Sequence, residues 1–260
     1  MSRKARERLA HREKIVERRD KMLNHDFSSE RATLEEVFDQ STLMVIYRFM
    51  SSGILYEVNG VISSGKEARV YWGKNKEGKD LAVKIYLTSS ADFKKGMIKY
   101  IEGDKRFKNV KRDTKSLFSA WAQKEFQNLE EADRAKVRVP KPIAVENNVL
   151  ILEFIGKNGE SAPSLKEQSP EDPEKIYKTL LSYLRRLYKK AQLVHGDLSE
   201  YNLMIWKGKL YMFDMSQTVP TSHPLAQYLL NRDITNVNRF FSRLRVNVLS
   251  NEEVYRKVTA

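Results

Sequence analysis

The sequence predicts an α+β protein of two lobes, in which a strand-rich first lobe and a helix-rich second lobe follow a basic helical extension. Apolar residues alternate with a period of two between residues 55 and 86, as in strands. From residue 117 onward helical spacing dominates, interrupted by short strand-like stretches. We therefore expect the extension at 1–52, the first lobe at 53–155 and the second at 156–260.

Composition limits the class of protein. The 260 residues carry a formal net charge of +13, from 47 basic and 34 acidic side chains, and include no cysteine. The lack of cysteine excludes disulfides and thiolate metal sites and fits a reducing cytoplasm. A basic surplus favours a polyanionic partner, although a solvated basic surface explains it equally well. No long apolar run is present, so we expect neither a signal peptide nor a membrane contact.

The extension is strongly charged at its start, with nine Lys/Arg against four Asp/Glu in the first twenty-one residues. This stretch is either a basic docking helix or a solvated tail. A capping box follows at Thr33-Leu34-Glu35-Glu36. Apolar residues then recur at helical spacing as far as Phe49, and Gly53 can close the helix. The pattern predicts a packed structural helix.

Three antiparallel strands are expected at 58–62, 68–74 and 81–86. The link between the first two, Ser63-Ser64-Gly65-Lys66-Glu67, also fits the start of a Walker A loop that begins at Gly60. That interpretation fails because Glu67 stands where Ser or Thr should bind Mg²⁺, and because a strand follows where a helix is required. Small residues at 63, 65 and 68 would let backbone N–H groups approach phosphates, and an ordinary hairpin turn is the alternative.

Lys84 lies within the apolar third strand, where an unpaired ammonium would be costly to bury. A carboxylate and a phosphate would remove that cost, whereas a lysine on an exposed strand face is the alternative. The helix predicted at 117–129 places Trp121, Glu125 and Leu129 on one stripe. Glu125 is therefore the predicted partner of Lys84, and Glu130 on another face is its structural rival.

Charge and apolar patterns predict the remaining elements. Residues 87–115 hold nine Lys/Arg and four Asp/Glu with little periodicity, which predicts a long mobile loop, helical at most in part. An apolar strand is expected at 149–156. A helix should begin at Ser169 as N-cap with Pro170 in its first turn, and continue to about Lys190. Two further helical segments are expected at 225–230 and 234–244.

The strongest chemical signal is the spacing of Asp197, Asn202 and Asp214 between strand-like segments. It matches the H-R-D-x-x-x-x-N catalytic loop and the D-F-G aspartate of protein kinases. A carboxylate must accept the proton of the attacking hydroxyl, while an amide and a second carboxylate hold Mg²⁺. His195 and His223 are too isolated to indicate a zinc site.

Departures from the usual kinase pattern indicate a particular family. Gly196 replaces the usual Arg, Met215-Ser216 replaces Phe-Gly, and 46 residues remain after Asp214, with no A-P-E motif. The segments 63–68, 195–202 and 214–217 together resemble the RIO family of atypical serine/threonine protein kinases. The loop Ser-Ser-Gly-Lys-Glu-Ala and the segment Asp233-Ile234-x-Asn236-Val237 resemble its first, Rio-one-like subgroup. The resemblance covers roughly residues 50–245.

This resemblance implies a two-lobed protein-kinase-like fold whose truncated C-terminal lobe lacks the activation segment and the substrate-binding helices. It implies ATP with Mg²⁺ or Mn²⁺, autophosphorylation on serine, and a role in small ribosomal subunit maturation, with a pre-ribosomal particle or its rRNA surface as partner. Asp197 would be the proton acceptor, Asn202 and Asp214 the metal ligands, and Asp214 a possible aspartyl-phosphate intermediate. Leu152 would line the adenine pocket, with Glu153 C=O and Ile155 N–H bonding the base. The full set of implied ATP contacts is Ser63, Ser64, Gly65, Lys66, Glu67, Ala68, Val70, Lys84, Glu125, Leu152, Glu153 and Ile155.

Three alternatives remain open from the sequence. The first is an ATPase-type ribosome assembly factor that uses an aspartyl-phosphate without a protein substrate. The second is a small-molecule phosphotransferase, which shares H-G-D-x-x-x-x-N but needs acidic substrate-binding insertions near the C-terminus. The third is a non-catalytic RNA-binding protein, which the intact Asp197, Asn202 and Asp214 disfavour.

Overall fold

The computed structural model describes residues 38–87 and 91–260, so the basic extension up to residue 37, with its capping box at Thr33, lies outside the described residues. Helix α1 spans Gln40–Ser51. Asp39 caps it by accepting the N–H groups of Ser41 and Thr42 at 3.0 and 3.1 Å. Because Phe38 and Asp39 are not helical, α1 begins at its own cap instead of continuing a helix from Thr33. Gly53, at φ +76°, follows its end as expected.

The first lobe is built on an antiparallel five-stranded sheet with the order β1-β2-β3-β5-β4. Its strands are β1 (Glu57–Ser64), β2 (Ala68–Lys74), β3 (Asp80–Tyr86), β4 (Pro142–Glu146) and β5 (Val149–Glu153). The three predicted N-terminal strands are therefore present. Strand β3 is central, and Lys84 pairs in register with Val70 of β2 and Leu150 of β5. The apolar side of α1 packs on one face of this sheet, against residues such as Val83 and Ile151.

The stretch 87–115 differs from the predicted loop. It contains helix α2 (Ala91–Ile101) and a 3₁₀ turn at Lys105–Phe107. Met97, Tyr100 and Phe107 are buried in the larger apolar core, which explains why a segment with so many charges is ordered as a helix and a turn. Helix α3 follows at Thr114–Arg134, capped by the Asp113 side chain, and extends the predicted 117–129 at both ends.

After β5 the chain forms the short hairpin of β6 (Gly156–Lys157) and β7 (Glu160–Ser161). Helix α4 then spans Pro173–Lys189. The predicted start at Ser169 and Pro170 is wrong by one turn, because the Asp172 carboxylate accepts the Lys175 N–H at 3.0 Å and Pro173 occupies the first helical position.

The remaining elements carry the candidate catalytic residues. They are β8 (Leu193–Val194), a 3₁₀ turn (Glu200–Asn202), β9 (Leu203–Trp206), β10 (Lys209–Met212) and β11 (Val219–Pro220). Strand β8 pairs with β11, and β9 pairs with β10. Residues 221–225 alone connect β11 to the next helix, so no activation segment intervenes.

Two helices complete the described chain. Helix α5 (Ala226–Arg243) merges the two predicted segments 225–230 and 234–244 into one helix. Helix α6 (Asn251–Thr259) was not predicted, although Ser250 and Glu253 form a complete capping box at its start. Within ranges 38–87 and 91–260, no helix combines the length and the apolar character needed to span a membrane.

Candidate active site

A cleft of about 630 Å³ separates the sheet from the second lobe. Most of the residues singled out from the sequence line it: Ser63, Gly65, Lys66, Glu67, Ala68, Val70, Lys84, Glu125, Leu152, Glu153, Ile155, Asp197 and Asp214. Ser64 and Asn202 are not among the lining residues. The cleft therefore brings together side chains that lie up to 151 positions apart in the sequence.

Two carboxylates from different parts of the chain contact the ammonium of Lys84. Its Nζ lies 2.8 Å from Glu125 Oε1, on α3, and 2.9 Å from Asp214 Oδ1, which follows β10. Lys84 and Glu125 are 9% and 1% exposed, so this is a buried ion pair. Burial alone would lower the pKa of Lys84, but the Asp214 and Glu125 carboxylates outweigh it and raise that pKa. The rival Glu130 instead lies 3.8 Å from Arg134 of its own helix.

Tyr86 supports this ion pair from two positions along β3. Its hydroxyl donates a hydrogen bond to Glu125 Oε2, the oxygen that does not contact Lys84. The tyrosine is buried, and burial raises the pKa of its hydroxyl well above the ordinary value, so the proton stays available to Glu125. Period-two alternation places residues 84 and 86 on the same side of the strand, which is the signal that identifies Tyr86 in retrospect.

The phosphate-loop candidate is a hairpin turn at the lip of the cleft. Gly65 N–H donates to Ala68 C=O at 3.0 Å, and the residues from Ser63 to Lys66 are exposed. Glu67 points toward the cleft and is partly buried. Burial, reinforced by the Asp214 charge, raises the pKa of Glu67 to about 7. An anionic ligand there would face a carboxyl group that is partly neutral at physiological pH.

The candidate catalytic loop is held by Asp233 of α5. The Asp233 carboxylate accepts the Gly196 N–H at 2.8 Å and the Leu198 N–H at 2.9 Å, one residue on either side of Asp197. Gly196 has φ +78°, and a Cβ there would lie 2.8 Å from the Gln217 carbonyl oxygen. This explains why glycine stands where most kinases carry arginine. The Asp197 carboxylate itself remains 49% exposed.

Two polar side chains, one of them charged, lie beside the Asp197 carboxylate. Arg232 Nη2 lies 3.8 Å from its Oδ1, and Gln217 Nε2 lies 3.4 Å from its Oδ2. Burial, with the Asp214 charge, raises the pKa of Asp197 above its ordinary value. A carboxylate with a raised pKa is a better proton acceptor.

His195 and His223 both bond backbone carbonyls. His195 is fully buried, with Nε2 3.2 Å from Phe213 O and Nδ1 accepting the Asp197 N–H at 3.3 Å. Burial lowers the pKa of His195 to about 4, so the ring is neutral. His223 Nε2 lies 2.8 Å from Glu102 O. Their contacts make these rings structural links.

Asn202 and Asp214 offer a donor set that fits Mg²⁺. Phe213 N–H donates to Asn202 C=O at 3.0 Å. Because Phe213 directly precedes Asp214, this bond brings Asp214 close to Asn202. Asn202 Nδ2 donates to Asp197 O at 2.7 Å, so its amide oxygen is left as a donor atom for a cation. Asp214 Oδ1 accepts from Lys84 and from Ser216, while Oδ2 accepts no hydrogen bond from a described residue. An amide and a carboxylate oxygen are ligands that Mg²⁺ prefers.

The hinge candidates lie at the end of β5. Leu152 is 8% exposed and its neighbour Glu153 pairs with β3 through Leu81. Ile155 lines the cleft, while its carbonyl accepts the Ala162 N–H at 2.8 Å. The strand predicted at 149–156 ends at Glu153, and Gly156 already belongs to the next hairpin.

Comparison with known proteins identifies the family. A model of the RIO domain matches residues 69–254. The chain is 43% identical over 240 residues to the RIO-type serine/threonine-protein kinase Rio1 of Haloferax volcanii, covering 89% of this chain and 81% of that protein. This chain belongs to the RIO family of serine/threonine protein kinases. It resembles Rio1 of Methanocaldococcus jannaschii at 40% identity (90% and 79% coverage) and human RIO1 at 40% (89% and 41%). The chain thus spans less than half the length of the human relative.

Solved structures agree on the fold. The Rio2 kinase of Chaetomium thermophilum in an ADP/Mg²⁺-phosphoaspartate complex superposes with a TM-score of 0.62 at 20% identity, over 82% of this chain and 65% of that chain. Another structure of the same kinase gives a TM-score of 0.62 at 24% identity, over 82% and 66%. The prediction of a kinase-like fold is confirmed, as is that of the Rio-one-like subgroup.

Proposed function

We propose that the cleft binds ATP with Mg²⁺ or Mn²⁺ and transfers the γ-phosphoryl group to a serine or threonine hydroxyl, including one on this protein itself. The observation that carries the proposal is the double contact of Lys84 Nζ with Glu125 and Asp214. This geometry would tie the lysine that positions the phosphates to both helix α3 and the candidate metal-binding loop. Fixed positioning of charged groups around the phosphates is the main protein contribution to phosphoryl transfer.

Each candidate residue has a role that its surroundings support. Lys84 would contact the α- and β-phosphates, with Glu125 fixing its orientation. The turn from Ser63 to Ala68 would cover the phosphates with backbone N–H groups. Leu152, Glu153 and Ile155 would receive the adenine. Asn202 and Asp214 would hold the metal, whose positive charge would offset the negative charge of the phosphates.

Asp197 is the candidate for orienting and deprotonating the attacking hydroxyl. Its carboxylate is half exposed at the cleft, so a hydroxyl group can reach it from solvent. The proton moves from the hydroxyl to Asp197, the oxygen forms a bond to the γ-phosphorus, and ADP leaves. Gln217 and Arg232 hold the carboxylate from two sides during this step.

A second candidate function is an ATPase cycle through Asp214. Oδ2 of Asp214 has no hydrogen-bond donor among the described residues, and the related Rio2 structure is described as a phosphoaspartate complex. In this cycle a carboxylate oxygen attacks the γ-phosphorus and ADP leaves. Water then hydrolyses the acyl phosphate, which releases phosphate and restores Asp214.

We propose a cytoplasmic role in maturing the small ribosomal subunit, with the +13 charge favouring an rRNA surface.

A single-turnover reaction with γ-labelled ATP separates these functions. Wild type, Asp197→Ala and Asp214→Asn are compared for label in protein and in free phosphate. Acid-stable label on serine that is lost in both variants supports protein kinase activity. Phosphate release with only a hydroxylamine-sensitive label favours the ATPase cycle. No turnover in the wild type contradicts both.

A further inference from the structure

Lys124, the neighbour of Glu125 on α3, is a buried lysine that the reaction scheme does not use. It is completely inaccessible to solvent, and no ion pair among the described residues includes it. Its Nζ donates to the Ser216 carbonyl at 3.0 Å and to the Thr218 carbonyl, and it lies 5.4 Å from the ring of Trp121. Because a buried amine without hydrogen-bond partners is costly, these two carbonyl contacts offset the cost of burying Lys124.

Asn128, one turn further along α3, binds the same loop. Its Nδ2 donates to the Met215 carbonyl at 2.9 Å and to the Thr218 carbonyl at 3.2 Å. The Asn128 Oδ1 accepts a hydrogen bond from Arg106 Nη2 at 2.9 Å, and Arg106 is itself paired with the buried Asp104. This second contact fixes the orientation of the amide, so that its N–H groups face the loop.

The loop in question is residues 215–218, which directly follows the candidate metal ligand Asp214. Ser216 Oγ donates to Asp214 Oδ1 at 2.9 Å. Thr218 Oγ1 donates to the carbonyl of His195 at 3.0 Å, next to the catalytic loop. Movement of this loop would therefore be transmitted to Asp214 and to the backbone beside Asp197.

We propose that Lys124 and Asn128 are positioning residues that hold Asp214 at the metal site by fixing the backbone of residues 215–218 to α3. We call these two residues the α3 clamp. Since α3 also carries Glu125, which contacts Lys84, the α3 clamp fixes the positions of the helix, Lys84 and residues 215–218 relative to one another. The inference rests on the proposed use of Mg²⁺ and ATP in this cleft.

The clamp does not need a charge on Lys124. Burial, with the nearby Arg106 charge, lowers the pKa of Lys124 to about 7, against opposing effects of Asp104 and Glu125. A neutral amine keeps two N–H donors, which is enough for the Ser216 and Thr218 carbonyls. The loop is therefore held in both protonation states.

The test uses Lys124→Met and Asn128→Leu, which keep approximate volume and remove the donors. The matched control is Asn238→Leu on α5. It loses the amide contacts to the Leu249 carbonyl at 2.9 Å, to Asn251 Oδ1 at 2.7 Å and to the Tyr177 hydroxyl at 2.8 Å, none of which involves residues 215–218. Thermal stabilisation by a non-hydrolysable ATP analogue is titrated with Mg²⁺. Hydrogen exchange of the backbone amides at 215–218 is followed in parallel, as a readout independent of nucleotide.

We expect each clamp variant to raise the half-saturating Mg²⁺ concentration about tenfold, as the loss of two hydrogen bonds suggests, and to accelerate exchange at 215–218. The control should lower the melting temperature while leaving both readouts unchanged. Folded clamp variants with the wild-type Mg²⁺ midpoint and exchange rates would overturn the inference. If Lys124→Met does not fold, Asn128→Leu decides. A wild type without any Mg²⁺-dependent stabilisation would overturn the proposed function and the inference with it.

Discussion

Asp233→Asn tests the idea that α5 holds the catalytic loop in place. The substitution preserves the size of the side chain but replaces one of its two carboxylate oxygens with an NH₂ group. Each of those oxygens now accepts a hydrogen bond from a backbone N–H group. One of the bonds from Gly196 at 2.8 Å or Leu198 at 2.9 Å is therefore lost, and two donors face each other inside the protein. A hydrogen bond to a charged group contributes about 1.5–3 kcal/mol, and an unsatisfied buried donor costs about 1–3 kcal/mol.

We therefore expect the free energy of unfolding to fall by about 2–4 kcal/mol. Burial raises the pKa of Asp233 to about 7, so wild-type stability falls as pH rises toward 7, and the difference from the variant should be larger at pH 6 than at pH 8. Urea unfolding gives the stability. Single-turnover phosphorylation per folded molecule should also fall, by about a hundredfold, since displacement of Asp197 by about 1 Å misaligns the attacking hydroxyl.

Asn238→Leu on the same helix is the control for Asp233→Asn. The loss of its three hydrogen bonds, with Leu249, Asn251 and Tyr177, should reduce stability by about 2–4 kcal/mol but leave turnover per folded molecule unchanged. An Asp233→Asn protein that unfolds at the wild-type urea concentration and phosphorylates at the wild-type rate would refute the reasoning.

Three further predictions follow from the site. Glu125→Gln should lower kcat/KM for ATP about 10- to 100-fold, because Lys84 keeps a hydrogen bond to residue 125 but loses the negative charge that pairs with its ammonium. A wild-type kcat/KM would contradict this prediction. Gly196→Ala should destabilise the fold by about 2–4 kcal/mol through its positive φ and a backbone clash, whereas Gly208→Ala, at φ +69° in open space, should cost about 1 kcal/mol in urea unfolding. Lys124 has a native pKa near 7 against 10.5 unfolded, so wild-type stability should rise between pH 7 and 10. Lys124→Met should flatten that rise, and an identical slope would count against the shifted pKa.

The sequence points to candidate residues where the proposed chemistry requires a fixed spacing. Asp197, Asn202 and Asp214 were recognisable because short loops between strands leave little freedom in their separation. Glu125 was predictable from its stripe on a helix, and the structure places it 2.8 Å from Lys84. These predictions rested on local periodicity and on the need of a buried lysine for a partner.

Other features depended on contacts that local patterns do not show. Asp233 bonds a loop 35 to 37 positions earlier, and Lys124 bonds carbonyls 92 and 94 positions later. Backbone acceptors leave no mark on the side-chain pattern, so neither role was visible. The start of α4 was misplaced because Ser169-Pro170 and Asp172-Pro173 are equally good caps by composition. Tertiary packing decided between them.

The central claim is that Asp214 holds a divalent metal beside ATP in the cleft. Calorimetric titration of a non-hydrolysable ATP analogue, with and without Mg²⁺, tests it in wild type and in Asp214→Asn. We predict that Mg²⁺ tightens binding to the wild type at least about tenfold and that the variant loses most of this gain while remaining folded. Equal Mg²⁺ dependence in the two proteins, or no nucleotide binding by the wild type, would contradict the account.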